Sequence, residues 1–212
     1  MPRQAIQAHS TARSIPYLLH FTRAANLPTI LQHGLYPVSR TQEIGLAPQI
    51  NDTLRLDGHR DSSSVSIGFP NSQMLYKYRM VDSAVDWVVL VLRPSILWTL
   101  DCAFCKHNAA DARISNRPLQ ELMAPDALLG MFEDIEGCLS REEQKLKVSD
   151  PTDVQAEVLV FGVIEPEYIA GVIYEKNLVR DAHAHLLGDR KAYVHADNKG
   201  MFASRKYDRT WG

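Results

Sequence analysis

Asp150-Pro151-Thr152-Asp153-Val154-Gln155-Ala156-Glu157-Val158-Leu159-Val160-Phe161 is the stretch from which the rest of the chain can be read. Pro151, set among acidic residues, marks a turn, and the Val-, Leu- and Phe-rich run after it reads as a buried strand. Gln155 and Glu157 stand two residues apart at its mouth and would share one face. A carboxylate at the entrance to an apolar strand has to be solvated, paired or at work. A strand-edge Glu facing water is the bland alternative, and the neighbouring segments weigh between the two.

Working outward, Tyr168 to Tyr174 reads as another strand, and the 176–212 stretch as amphipathic and then polar. Upstream, residues 141–153 form a charged connector, and 116–136 look helical with an interruption near Pro125. Asp86 to Leu92 is a strongly apolar strand ended by Arg93-Pro94. Ser63 to Phe69 alternates as a strand stopped by Pro70, and Asn71 to Met80 reads as a short helix carrying Tyr76, Tyr78 and Arg79. Residues 38–61 are polar, with Gly45, Pro48 and Gly58, and read as a long irregular loop of the kind that is functional or disordered in compact domains. The first strand is expected over 16–22, with His20 and Thr22 in alternation. A short helix follows, with Asn26 as N-cap, Pro28 in its first turn and Gly34 just past its end. Strands and helices mix without a βαβ rhythm, so the class is α+β.

At 212 residues the chain suits a single domain, with a core over about 16–175 and an extension over 176–212. An apolar fraction of 45% and a charged fraction of 23% are ordinary for a globular protein. No apolar run approaches the roughly 20 residues of a membrane span, and the polar N-terminus lacks the apolar heart of a secretion signal. Three cysteines argue against a disulfide framework and for a reducing compartment, so the cytoplasm is expected. The net charge of −2 does not announce a nucleic-acid partner. The charge is uneven, however: 121–157 carries ten acidic residues against three basic, while 171–212 carries eight basic against five acidic. A basic surface there could follow phosphates, or be a solvated, charge-mixed tail.

Cys102-Ala103-Phe104-Cys105 with His107 has the look of half a zinc site. The other half is missing, because Cys138 stands alone, and no metal is expected. Phosphate loops of the GxGxxG and GxxxxGK[ST] kinds, the GxSxG elbow and the HExxH pair are all absent. What remains is a set of polar side chains on short strands: His20 and Thr22, Ser64 and Ser66, Gln155 and Glu157, with Arg55 and Arg60 in the loop. Each could be a satisfied structural group.

In order, these pieces resemble the DarT family of DNA ADP-ribosyltransferase toxins. The opening is Leu19-His20-Phe21-Thr22 followed by Asn26-Leu27-Pro28-Thr29-Ile30-Leu31-Gln32-His33-Gly34-Leu35. Leu54-Arg55-Leu56-Asp57-Gly58, Ser64-Val65-Ser66-Ile67-Gly68-Phe69-Pro70-Asn71 and Met74-Leu75-Tyr76-Lys77-Tyr78-Arg79 come next. Cys102-Ala103-Phe104-Cys105 with Asn108-Ala109-Ala110, and then Gln155 to Val160, complete the set. The RLDG, SVSIGFPN and CAFC…NAA pieces look like the branch that modifies guanine rather than thymine.

The resemblance implies an ADP-ribosyltransferase fold, with two small β-sheets around an NAD cleft and helices outside. NAD+ would be the co-substrate, with no metal. His20, Phe21 and Thr22 would hold NAD, with Thr29 and Ser66 lining the same cleft and Tyr76 stacking on nicotinamide. The loop from about 43 to 60 would close over NAD, with Arg55 as the catalytic arginine and Arg60 its rival. Residues from about 137 to 156 would present the acceptor, with Gln155, Tyr78 and Arg79 on the substrate side. Glu157 would be the catalytic glutamate. Cleaving nicotinamide from ribose leaves an oxocarbenium-like sugar, and a fixed carboxylate beneath it is worth about 3–4 kcal/mol of barrier. Single-stranded DNA is the expected acceptor, because a base stacked in a duplex is out of reach. The basic C-terminal third, including Arg205, Lys206 and Arg209, would follow its backbone, and Tyr193 or Trp211 could stack bases. A macrodomain or related ADP-ribose hydrolase would serve as antitoxin. A protein or RNA acceptor, or a non-catalytic NAD- or DNA-binding module, are the rival readings.

Overall fold

The computed structural model describes residues 2–45 and 58–212. Its strands are β1 (Leu18–Arg23), β2 (Ser62–Ile67), β3 (Trp87–Leu92), β4 (Cys102–Cys105), β5 (Glu157–Phe161), β6 (Ile169–Tyr174) and β7 (Lys191–Val194). They form one seven-stranded sheet in the order β4-β5-β2-β1-β3-β6-β7. Neighbours are antiparallel except β6 and β7, which run parallel. In place of two separate sheets there is one, with a narrow joint. β1 pairs with β3 from Leu18 to Arg23, and β2 with β5 from Ser62 to Val65. β1 and β2 meet only at Leu18↔Ile67 and Leu19↔Ser66. Beyond that seam the halves β4-β5-β2 and β1-β3-β6-β7 have no ladder between them.

Strand alternation sends Leu18, Val65, Ile67, Val88, Leu90, Phe104, Val158 and Val172 into one continuous core spanning both halves. Helices cover it: α1 (Pro2–Ala12) through Ile6, and α2 (Leu27–His33) through Leu27, Ile30 and Leu31. On the opposite face the apolar residues fall into two separate clusters. Leu19, Trp87, Val89 and Ile173 pack under α3 (Ser72–Val81) by way of Leu75. Ala103, Cys105 and Leu159 pack with Ile114 and Leu122. Between them on this face run Ser64 and Ser66 of β2 and Glu157 of β5, so a polar strip lies over the seam.

Local signals explain the helix ends. Pro28 sits in the first turn of α2, and Gly34 ends it at φ 96°, where a Cβ would come within 2.6 Å of the Ile164 carbonyl oxygen. Asn26 does not cap through its side chain; its amide turns back to the Thr22 hydroxyl at 3.1 Å. Asn71 Oδ1 accepts the Met74 N–H at 3.1 Å and starts α3. The 116–136 region is broken more finely than one interrupted helix, into α4 (Ile96–Thr99) and α5 (Ala112–Ser115) before it and α6 (Leu119–Leu122) and α7 (Pro125–Gly130) within it. The extension adds α8 (Asn177–His183), the edge strand β7 and α9 (Arg205–Trp211). It reaches the interior, with Val179 and Leu187 in the large core and Phe202 under α3.

Candidate active site at the seam

β5 begins at Glu157, which pairs with Cys105 of β4 at the strand's mouth. Its side chain is 6% exposed. Ser64 Oγ of β2 donates to Glu157 Oε2 at 2.6 Å. The Asn108 amide, in the turn leaving β4, donates to Oε1. Asn108 Oδ1 accepts the Ala110 N–H at 3.0 Å, which fixes which way its amide faces. Both oxygens of the carboxylate thus have a donor, one from β2 and one from the turn after β4.

Across the seam, His20 Nδ1 lies 2.8 Å from the Ser64 carbonyl oxygen. A carbonyl only accepts, so Nδ1 carries the proton. Ser64 therefore ties His20 of β1 to Glu157 of β5, its carbonyl serving one and its hydroxyl the other. This contact stands beyond Leu19↔Ser66, where the ladder between the halves has ended. A buried carboxylate and an imidazole on either side of a parted sheet can hold a polar ligand between them, the carboxylate opposing positive charge on that ligand. Among the described residues no group of three or more His, Cys, Asp or Glu side chains could hold a metal ion. Cys102 and Cys105 are the two ends of buried β4, and burial pushes the Cys102 thiol up to about 12.

The other expected site residues divide. Phe21 points to the α3 side, its ring 6.3 Å from Tyr78 and 6.1 Å from Trp87. Thr22 is buried and accepts from Asn26. Thr29 is half-buried on α2. Ser66 Oγ accepts the Asn71 N–H at 3.2 Å, linking β2 to the cap of α3. Tyr76 stands 61% exposed on α3. Arg60 is exposed in the turn before β2, and Arg55 lies outside the described residues, as does most of the loop expected to close over NAD.

Four expectations need correction. Gln155 is not on the strand; it sits in the turn before β5, its N–H donating to Asp153 Oδ1 at 2.8 Å, so it does not share a strand face with Glu157. Tyr78 stacks on Trp87 at 5.9 Å beside the apolar layer under α3, so its ring has a structural partner. Arg79 is taken up by Glu175, by Asn198 Oδ1 at 2.9 Å and by the Phe202 carbonyl at 3.1 Å. Arg205 and Arg209, expected along a DNA backbone, point inward. Arg205 is 6% exposed and burial pushes it down to about 10, while the Arg209 side chain is 5% exposed in an ion pair with Asp150.

Reading the sequence gave Asn108 no role. It is placed by the pairing of β4 with β5, and a four-residue strand hidden in CAFC carries little signal of its own. His107 belongs to the same turn. Its Nδ1 meets Asp153 Oδ2 at 2.7 Å, pinning the turn that leads into Glu157 to the one that leaves β4.

The family model for "ssDNA thymidine ADP-ribosyltransferase, DarT" matches residues 19–202. No curated protein matches the chain by sequence. Among solved structures, Thermosipho africanus DarTG in complex with ADP-ribose superposes with a TM-score of 0.58 at 15% identity, over 84% of this chain and 50% of that one. This chain thus spans half the length of that protein. Thermus sp. 2.9 DarT in complex with NAD+ gives a TM-score of 0.53 at 16% identity, over 86% of this chain and 96% of that one. The same DarT in complex with ADP-ribosylated ssDNA gives 0.53 at 16%, over 85% and 93%. At such identities the likeness speaks for the fold, and the family match covers most of the chain. This chain belongs to the DarT family of single-stranded DNA ADP-ribosyltransferases.

Proposed function

We propose that the protein transfers ADP-ribose from NAD+ to a base in single-stranded DNA and releases nicotinamide. The observation that carries this reading is Glu157, buried at the seam with both carboxylate oxygens anchored, by Ser64 and Asn108, and with His20 bonded to Ser64 across the gap. The family's description supports it, as do the NAD+ and ADP-ribosylated ssDNA in the Thermus sp. 2.9 structures.

The bond broken is that between the nicotinamide nitrogen and the ribose C1′; nicotinamide leaves with the electron pair. Glu157, anchored by Ser64 and Asn108, opposes the positive charge that develops on the ribose, and needs little reorganisation to do so. His20 and Ser66 flank the cleft in which the adenosine and ribose portions would lie, with Thr22 and Thr29 on the β1–α2 side and Phe21 on the α3 side. Tyr76, exposed on α3, is the side chain free to stack on nicotinamide. Arg55, or Arg60 in its place, supplies the cation that clamps the pyrophosphate. The base nitrogen attacks C1′ and loses its proton as the new bond forms. Gln155, in the turn before Glu157, stands where the acceptor enters.

Guanine is the base favoured by the RLDG, SVSIGFPN and CAFC…NAA pieces, whereas the family's description names thymidine. Such a toxin works on DNA in the cytoplasm and needs an antitoxin, a macrodomain or related ADP-ribose hydrolase, a pairing suggested by the DarTG name of the Thermosipho protein.

Intact-mass spectrometry of short single-stranded oligonucleotides, one pool per base, incubated with protein and NAD+ tests the reading. One ADP-ribose adduct confined to one base is expected. Glu157→Gln should lose it by a factor of about 100–1,000 while keeping the native circular dichroism spectrum. Nicotinamide release without a DNA adduct points to protein, RNA or water as acceptor and overturns the DNA reading.

A further inference from the structure

The last helix lies beyond the residues matched by the family model, which ends at 202, and it grips the segment that leads into Glu157. Arg205 sends Nη1 to the Pro151 carbonyl at 2.7 Å and Nη2 to the Thr152 carbonyl at 2.8 Å. Arg209 holds Asp150 in a fork, Nε to Oδ2 at 2.6 Å and Nη2 to Oδ1 at 2.7 Å, with the two side chains 5% and 1% exposed. Asp150 Oδ2 also takes the Lys147 N–H at 2.9 Å. From the other side Arg141 donates to the Asp150 carbonyl at 2.6 Å and to Thr152 Oγ1 at 3.0 Å. Residues 147–152 have a local turn, with the Asp150 N–H on the Lys147 carbonyl at 3.0 Å and the Thr152 N–H on the Met131 carbonyl at 2.8 Å, and three arginines tie that turn to the rest of the fold.

Glu157 is suspended differently. Its backbone belongs to the β5 ladder and its carboxylate to Ser64 and Asn108. None of these supports passes through α9. Two independent suspensions meet within a few residues, one for the carboxylate and one for the turn beside it.

We infer that Arg205 and Arg209 are positioning residues: α9 fixes the 147–156 segment that presents the acceptor, and so governs use of DNA while leaving the cleavage of NAD+ to the separately held Glu157. This rests on the transfer reaction proposed above. The arginines touch neither substrate; they act through the Asp150-Pro151-Thr152 backbone. Misplacing a reacting group by about 1 Å can cost on the order of a hundredfold in rate, so a loosened turn should be read most strongly by the acceptor.

The test is steady-state kinetics on the full chain with a single-stranded oligonucleotide, alongside nicotinamide release from NAD+ without DNA. The variant is Arg209→Met with Asp150→Asn, which removes both charges of the ion pair together; Arg209 Nη1 also meets the part-exposed Asp208 at 2.5 Å, and the nearby Arg205 loses the Asp150 charge, so folding is checked by melting temperature. Arg209→Lys, which keeps the charge but loses the fork, is the milder companion should the double variant melt below the assay temperature. The expected result is a KM for the oligonucleotide raised about tenfold or more in the double variant. A smaller rise is expected in Arg209→Lys. DNA-independent nicotinamide release should stay within about twofold in both, because it measures the half of the reaction held by β5. An unchanged oligonucleotide KM, or transfer and nicotinamide release falling in step, overturns the inference while the wild type still transfers. A wild-type protein that leaves DNA unmodified overturns the acceptor reading itself and this inference with it.

Discussion

Asn108→Ala removes a donor to the Glu157 carboxylate, together with the bond from the Ala110 N–H to the Asn108 side chain. The amide donates to Oε1, and its orientation is fixed by the Ala110 N–H on its own oxygen. Hydrogen bonds to charged groups contribute about 1.5–3 kcal/mol. At 6% exposure Glu157 has little access to water that could take over the bond. Ser64 remains, so the carboxylate is loosened rather than released. If that full contribution is felt in the transition state, the rate falls by roughly tenfold to hundredfold. The assay is the initial rate of nicotinamide release and of oligonucleotide modification, at matched folded fraction by circular dichroism. Asn108→Asp gives an independent check, because a second carboxylate within bonding distance of the first disfavours ionising both. The acid limb of its rate–pH profile should move to higher pH. An alanine variant within twofold of wild type, or an aspartate variant with an unmoved acid limb, would refute the idea that Asn108 positions the carboxylate.

Two further outcomes concern stability. Burial raises the Asp150 carboxyl, but the hydrogen bonds from Arg209 and the Lys147 N–H, with the Arg209 charge, outweigh it and hold the group below its ordinary value of 3.8. A lowered folded value means that the contribution is complete above about pH 4 and disappears as the pH falls toward the folded pKa. The wild-type melting temperature should therefore fall more steeply below about pH 4 than that of Arg209→Met/Asp150→Asn; parallel curves count against a stabilising pair. Gly34→Ala places a Cβ 2.6 Å from the Ile164 carbonyl at φ 96°, and the crowding should cost about 1–3 kcal/mol. That is a melting-temperature drop of roughly 2–4 °C per kcal/mol in a chain of this size, and an unshifted melt would mean that the Ile164 backbone, which bridges antiparallel to Leu35, yields easily.

The strongly patterned elements were legible in the sequence. Apolar β-branched runs gave β3, β5 and β6, and Pro and Gly at the right ends gave α2, because these signals are local and each residue carries its own evidence. β4 and β7 were not, since each is four residues long and exists by pairing with a neighbour. Gln155 was misplaced by extending strand alternation through a turn that Asp153 closes with its side chain. Arg205 and Arg209 were misread because a basic helix end looks alike whether its cations face solvent or, as here, backbone carbonyls and a carboxylate 53 to 59 residues upstream in sequence. Glu157 and His20 stood out as polar residues on apolar strands. Ser64 was visible as part of an alternation, but its two-sided contact and the contribution of Asn108 depend on register across three strands, which no local pattern encodes.

The seam also has a mechanical meaning. The two halves of the sheet are stitched by Leu18, Leu19, Ser66 and Ile67. They have separate apolar clusters on the side that carries Glu157 and a single shared one behind. The arrangement works like a book whose spine is the shared cluster: any widening of the front must squeeze the packing at the back, and a close-packed interior resists compression. The parting of the two half-sheets in front is therefore tied to the volumes of Leu18, Val65 and Ile67 behind them. Residues of the shared core thus govern how widely the two half-sheets part at the seam.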